Sequence, residues 1–403
     1  MTQCTSLGQL GRRLQNRRAL LSQKIRGASL STASPDARQQ CVSERDLQLK
    51  LEGCVSAAAV LQVLRCPPGG LPLADWPSAS ITTAWHRLAK ASQGEILDGQ
   101  DVPGGAGDSD VAMRLLSDAL PDSCEFQRFK PRQLSNLLWA WSRLRFRRGP
   151  LLRTLCERIL GYDAARFAPQ GIANILYAAG LLRLRHRTLV WVLCGNAQSR
   201  LSEFSTQGVG NCAYGMALLG MRHRPLLTAI CEHVPTRISD FAPQELANLM
   251  YACGLLTFRH SGFIGAFGEN VPGRLACFTA QNLSNIVYAL GLLDACFEDL
   301  LQAVCDHACG RLGEFTAQGL SNTLYGLGLL GFRHVALLAS LRRHLPGRVH
   351  ELIPLNLANV AFGLQASWCL GCWRTRLPHS SKQSHRNAHG QRLRIRERAR
   401  PHV

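Results

Sequence analysis

The chain has 403 residues, 46% of them apolar, and no window approaches the roughly 18 consecutive apolar residues of a membrane-crossing helix. A soluble protein with no membrane partner is the expectation. The net charge of +19 has the sign that a polyanion attracts, but it is unevenly placed: residues 1–35 carry +6, 36–128 carry −5, 129–365 carry +10 and 366–403 carry +8.

Residues 1–35 interleave Arg12, Arg13, Arg17, Arg18, Lys24 and Arg26 with leucines and hydroxyl residues, and the first acid is Asp36. This is the pattern of an amphipathic organelle transit peptide rather than of a secretory signal, which needs a continuous apolar stretch. A basic tail without a targeting role has the same composition and stays open. Residues 36–128 hold helical material in SERDLQLKLEGCVSAAAVLQVLR (Ser43–Arg65), broken by PPGGLPLADWP and DVPGGAGDSD.

From Phe129 the chain repeats itself. FTAQNLSNIVYALGLL at Phe278 and FTAQGLSNTLYGLGLL at Phe315 are the clearest copies, and the others start FKPRQLSN (Phe129), FAPQGIAN (Phe167), FSTQGVGN (Phe204), FAPQELAN (Phe241) and LIPLNLAN (Leu352). The lead positions are 38 residues apart once and 37 apart five times. Such a period predicts an all-α, right-handed α-solenoid of about seven 37–38-residue helical hairpins over 129–365.

In each unit helix A starts after the lead residue. Ser205, Thr279 or Thr316 can cap it there, and Pro131, Pro169, Pro243 or Pro354 fits its first turn. A turn written LRH, MRH or FRH follows, and helix B then runs to Arg200, Arg237, Arg274, Arg311 or Arg348. The histidines of these turns read as surface charges. Cys156, Cys194, Cys231 and Cys305 share one repeat position, 27 residues after the lead Phe, and read as small core residues of a reduced protein.

Three sets of residues are candidates for a site. Asn136, Asn174, Asn211, Asn248, Asn285, Asn322 and Asn359 are the only side chains identical in every copy. They read as a ladder of amides bonded to the neighbouring backbone, with ligand contact as the alternative. Four residues after the lead, Gln133, Glu245, Asn282 and Asn356 alternate with glycines, and such variation inside a fixed frame could address bases. Arg147, Arg185, Arg222, Arg259 and Arg333 form a row at the inter-helix turn, suited to phosphates or to helix ends. The aromatics Trp139, Tyr177, Tyr214, Tyr251, Tyr288, Tyr325 and Phe362 are spaced for core use, with stacking on bases as the alternative.

The unit F-x-x-Q-x-L-[AS]-N-x-x-Y-A-x-G-L-L resembles the heptatricopeptide and octotricopeptide repeats of FAST-kinase-like and RAP-domain organelle RNA-binding proteins, and is similar to RNA-editing substrate-binding complex repeats. SITTAWHRLAKAS from Ser80 is similar to a degenerate helix A of the same family. The resemblance implies a non-catalytic protein of the mitochondrial matrix, with the plastid as alternative. Single-stranded organellar RNA would be its partner, together with other RNA-processing or ribosomal proteins, and the expected state is a monomer. It implies roles in transcript stability, processing, editing, ribosomal RNA maturation or translation.

The tail 366–403 does not match a RAP domain, so a cleavage role is not implied. Cys369, Cys372, His379, His385 and His389 lack a second ligand pair of defined spacing, so no metal is expected. There is no phosphate-binding glycine loop, no HExxH and no other enzyme motif, so neither catalysis nor a cofactor is expected. The leading reading is sequence-selective RNA binding along the solenoid, one nucleotide per repeat and a footprint on the order of seven. The competing class is a protein-protein interaction scaffold of armadillo or HEAT type.

Overall fold

A computed structural model describes residues 35–97, 105–120 and 125–373, and every regular element among them is helical. Residues 1–34 and 374–403, most of the leader 1–35 and of the tail 366–403, lie outside them, whereas 366–373 continue the last helix instead of belonging to the tail. In chain order the α-helices are α1 Pro35–Gly53, α2 Ala57–Arg65, α3 Ser78–Leu97, α4 Gly105–Asp118, α5 Pro131–Arg143 and α6 Gly149–Leu160. There follow α7 Pro169–Leu182, α8 Arg187–Ser199, α9 Thr206–Leu219, α10 Arg224–His233, α11 Pro243–Leu255 and α12 Ser261–Asn270. The last five are α13 Ala280–Leu293, α14 Glu298–Cys309, α15 Ala317–Leu330, α16 Val335–His344 and α17 Pro354–Trp373.

Two compact units divide the chain, Met1–Leu144 with Arg148–Thr154, and Arg145–Arg147 with Leu155–Val403. In the first, α1 packs on α3, α3 on α5 and α2 on α4. The SITTAWHRLAKAS segment therefore lies in α3, at the place of a helix A. Its Trp85 is buried edge-on against Trp141 of α5, with ring centroids 5.7 Å apart. Two hairpins, α1–α2 and α3–α4, thus precede the repeats visible in the sequence.

In the second unit α7, α9, α11, α13, α15 and α17 form one layer of helices A, and α8, α10, α12, α14 and α16 form the layer of helices B. This is a stack of hairpins in which each unit buries its faces on its neighbours. The lead side chains Phe167, Phe204, Phe241, Phe278 and Phe315 are buried between the layers. Pro169, Pro243 and Pro354 open their helices, and the hydroxyls of Ser205, Thr279 and Thr316 accept from the backbone N–H three residues on, at 3.1, 3.2 and 3.0 Å.

Every helix A from α5 to α15 is followed by a left-handed residue sixteen positions after the lead: Arg145, Arg183, Gly220, Thr257, Asp294 and Gly331, with φ between 48° and 64°. Only two of these are glycine. A side chain in this conformation costs roughly 1–2 kcal/mol. Arg183 is exposed, so Arg183→Gly is expected to stabilise the fold by about 0.5–1 kcal/mol, the relief being partly offset by the freer unfolded chain. A lower midpoint in chemical denaturation would contradict this.

A clasp closes each hairpin on itself, tying the end of helix B to the residue that leads helix A of the same unit. The guanidinium of Arg200 donates to the carbonyl of Phe167 (3.1 Å), Arg274 to Phe241 (2.7 Å), Arg311 to Phe278 (3.0 Å) and Arg348 to Phe315 (2.7 Å). Each bond spans 33 residues. Arg200, Arg311 and Arg348 are oriented by Glu203, Glu314 and Glu351, at 2.8, 2.6 and 2.5 Å, and Arg237 pairs with Asp240 at 2.9 Å. The hydrogen bond from Arg311 holds the Glu314 carboxyl below its ordinary pKa. This basic row is occupied within the protein.

The turn histidines are not surface charges. Nδ1 of His186, His223, His260 and His334 accepts from the backbone N–H of Leu189, Leu226, Phe263 and Leu337, at 3.2, 3.2, 3.3 and 3.0 Å, capping each helix B. Only the neutral ring has a lone pair to do this. Burial pushes the pKa of His223 down, and that of His86 and His233 likewise. A folded-state pKa below the unfolded value near 6.5 contributes stability above that pH and loses it as the pH falls. The melting temperature is therefore expected to drop between pH 7.5 and 5, and less so in His223→Asn, which can cap without titrating. A flat profile would refute this.

The shared-position cysteines are interior thiols. Burial pushes Cys156, Cys194 and Cys305 up to about 12, so they stay protonated. The Sγ atoms of Cys231 and Cys253, both free thiols, share a hydrogen bond at 3.9 Å.

Candidate nucleic-acid interface

A helix packed on both flanks and on its B partner keeps one stripe for solvent. In helices A that stripe runs through the third, seventh, tenth and fourteenth positions after the lead, spacings of four and three that return to one side of a 3.6-residue helix. The third position is Gln170, Gln207, Gln244, Gln281 and Gln318, all exposed. The seventh is the invariant asparagine, half-buried in every copy.

The tenth position is the aromatic one. Tyr177, Tyr214, Tyr251, Tyr288 and Tyr325 are half-buried, and Phe362 is exposed. These rings are not core. They stand side by side across successive helices, with centroids 6.1, 6.2, 6.0, 6.0 and 5.1 Å apart from Tyr177 through to Phe362. Interplanar tilts are 31–39° among the tyrosines, as offset partners prefer. In the first unit His86 and Trp139 repeat the arrangement at 5.1 Å. Burial, with neighbouring rings adding to it, raises Tyr214 and pushes Tyr251 up to about 12, which keeps these hydroxyls protonated.

The expected asparagine ladder is not formed. Among the described residues no hydrogen bond joins the amide of Asn136, Asn174, Asn211, Asn248, Asn285, Asn322 or Asn359 to a neighbour, nor those of the five glutamines. The reason is their direction: they project along the open stripe instead of across the helix-helix contact. The face is thus an aromatic band bordered by two rows of amides, each with donor and acceptor capacity unspent inside the protein.

Three of the four candidate base readers are helix caps. Gln133 accepts from the backbone N–H of Lys130 (2.7 Å), Glu245 from Ala242 (2.9 Å) and Asn282 from Thr279 (3.2 Å), closing the first turn. Asn282 and Asn356 are also buried. At Gly208 and Gly319, which carry no side chain, the hydroxyls of Ser205 and Thr316 supply the cap.

The turn arginines divide into two groups. Arg259 donates to the carbonyls of Leu293 (3.1 Å) and Asp294 (2.9 Å), Arg222 to Leu256 and the Thr257 hydroxyl, and Arg147 to Leu181 (3.4 Å), each on the next helix A end. Arg185 and Arg333 are exposed, and among the described residues neither makes a hydrogen bond or ion pair.

The family model described as RNA-editing substrate-binding complex 6 protein matches residues 111–361, from within α4 to within α17. The chain belongs to this family. Its members are thus RNA-associated helical-repeat proteins. None of the curated proteins matches the chain. The matched span takes in every asparagine and every glutamine of the open stripe, and all its aromatics but Phe362. The geometry of the stripe was missed in the sequence because the tyrosines sit beside buried positions in every copy. Plotting the Gln, Asn and Tyr rows on one helical wheel would have found it.

Proposed function

We propose that this protein is a non-catalytic binder of single-stranded RNA that holds its ligand along the helix A stripe, within a mitochondrial RNA-editing or RNA-processing assembly. The observation that carries this reading is the unbroken aromatic band flanked by unbonded amides. Single-stranded nucleic acid is held by aromatic surfaces, groups for base edges and nearby cations, and all three occur here. The printed family description supplies the editing context.

The ring spacing decides how bases sit. Inserting a base between two rings needs two stacking gaps of about 3.4 Å, near 7 Å in all, and the tyrosines are 6.0–6.2 Å apart. Bases therefore lie against the outer ring edges and bond to the asparagine and glutamine amides instead of intercalating. Because the rows are the same in each unit and the variable position is a cap, the stripe grips RNA with little discrimination between bases. Sequence selectivity would come from partners in the assembly.

Fluorescence anisotropy with labelled single-stranded and duplex RNA of equal length tests the proposal. Single strands are expected to bind better, and affinity to fall with salt with a log-log slope near 0.7 per phosphate contact. Equal affinity for the duplex, or no RNA binding at low salt, would return the array to the scaffold class.

A further inference from the structure

We infer that the protein forms a tail-to-tail dimer through the exposed face of α17. In each inner unit the helix A flank at the fifth, sixth and ninth positions after the lead is covered by the following helix A. Leu320, Ser321 and Leu324 are at most 1% exposed there, and Leu283, Ser284 and Val287 at most 2%. In the seventh unit the same flank is open: Leu357 is 42% exposed, and Ala358, Ala361 and Gln365 beside it are exposed. The surface continues the interface that builds the whole stack.

The chemistry of this flank selects a second copy of itself. Leu352 to Gln365 contains no charged residue, so two such faces meet without repulsion and without burying an unpaired charge. Ala358 and Ala361 lie towards the middle of the flank, with Leu357 at its edge, which lets two helices approach closely across a two-fold axis, as an isologous contact requires. Other occupants fit less well. Residues 374–403 carry nine Lys/Arg and one acid and offer no helix A pattern. The exposed side of α1 sets one leucine, Leu49, among Arg45, Asp46, Lys50 and Glu52, a charged surface that would bury unpaired charge against an apolar partner. An end repeat with an apolar outer face has to be covered if the array is to stay in solution.

This proposal is independent of the RNA reading and is tested on nuclease-treated full-length protein. Sedimentation equilibrium at micromolar concentration is expected to give about twice the 44.3 kDa chain mass. Leu357→Asp and Ala361→Glu, both at exposed sites, are expected to give the monomer mass with unchanged helicity and unchanged RNA affinity. A photo-crosslinker in the change Ala361→benzoylphenylalanine is expected to attach to α17 of the second copy. A monomer for the unaltered protein, a dimer that survives both substitutions, or crosslinks to α1 would each overturn it.

Discussion

Gly326→Leu is expected to break the array between its fifth and sixth units. A Cβ at Gly326 would lie 2.5 Å from the carbonyl oxygen of Val287 and 2.8 Å from its carbon, and backbone atoms of a packed helix cannot step aside as a side-chain tip can. The contact is part of a series along the helix A layer. Gly215 faces the Leu176 carbonyl at 2.3 Å, Gly291 faces Gly326 at 2.8 Å, and Gly254 faces Ala289 at 2.7 Å. Even Gly326→Ala, which gains about 1 kcal/mol of helix propensity, is expected to lose stability on balance. Overpacking of well-filled cores typically costs 1–3 kcal/mol, and with leucine against backbone the cost should exceed that range. Because a solenoid is held by nearest-neighbour interfaces, the leucine variant should unfold in two chemical-denaturation transitions where the unaltered unit gives one. A more stable alanine variant would show that these helices are not in close contact.

Replacing Tyr214, Tyr251 and Tyr288 together with alanine is expected to weaken single-stranded RNA binding by roughly two orders of magnitude. Contact of a base with an aromatic ring is worth about 1–3 kcal/mol by such substitutions, and the edge-on geometry favours the low end, near 1 kcal/mol for each ring. The three rings are consecutive, with neighbours 6.2 and 6.0 Å apart, so the change opens a gap in the middle of the band. The corresponding phenylalanine variant keeps the surface and loses only the hydroxyls, and it should retain most of the affinity. Anisotropy titrations, with circular dichroism confirming equal helicity, make the measurement. An affinity within twofold of the unaltered protein would remove the aromatic band from the mechanism.

The regularity of the chain is legible in its sequence where one residue type recurs for a local reason. Lead phenylalanines, Ser/Thr caps and first-turn prolines mark helix starts without knowledge of what lies alongside, and they place the hairpins of the second unit correctly. Residues whose partner is a backbone group are less legible. Arg311 has the look of a ligand-binding cation until its guanidinium is seen on the carbonyl of Phe278, 33 residues away. Glu245 has the look of a base reader until its carboxylate is found on the N–H of Ala242. The asparagines and tyrosines posed a different difficulty. Uniform repetition is equally compatible with core and with ligand, and only the direction in which the helix turns its stripe separates the two. Of the two earlier hairpins, α3 is legible as a degenerate helix A, its Trp85 keeping its place in the packing, whereas Ser43–Arg65 reads only as helical material because it does not carry the repeat motif.

The clasp described for Arg200, Arg274, Arg311 and Arg348 has a direction, since each guanidinium reaches back to a carbonyl made 33 residues earlier. Both partners bracket one hairpin, so on the ribosome each hairpin can be fastened by its own residues as soon as its helix B has emerged. It need not wait for its successor to leave the exit tunnel, so the order of synthesis and the order of locking are the same, hairpin by hairpin.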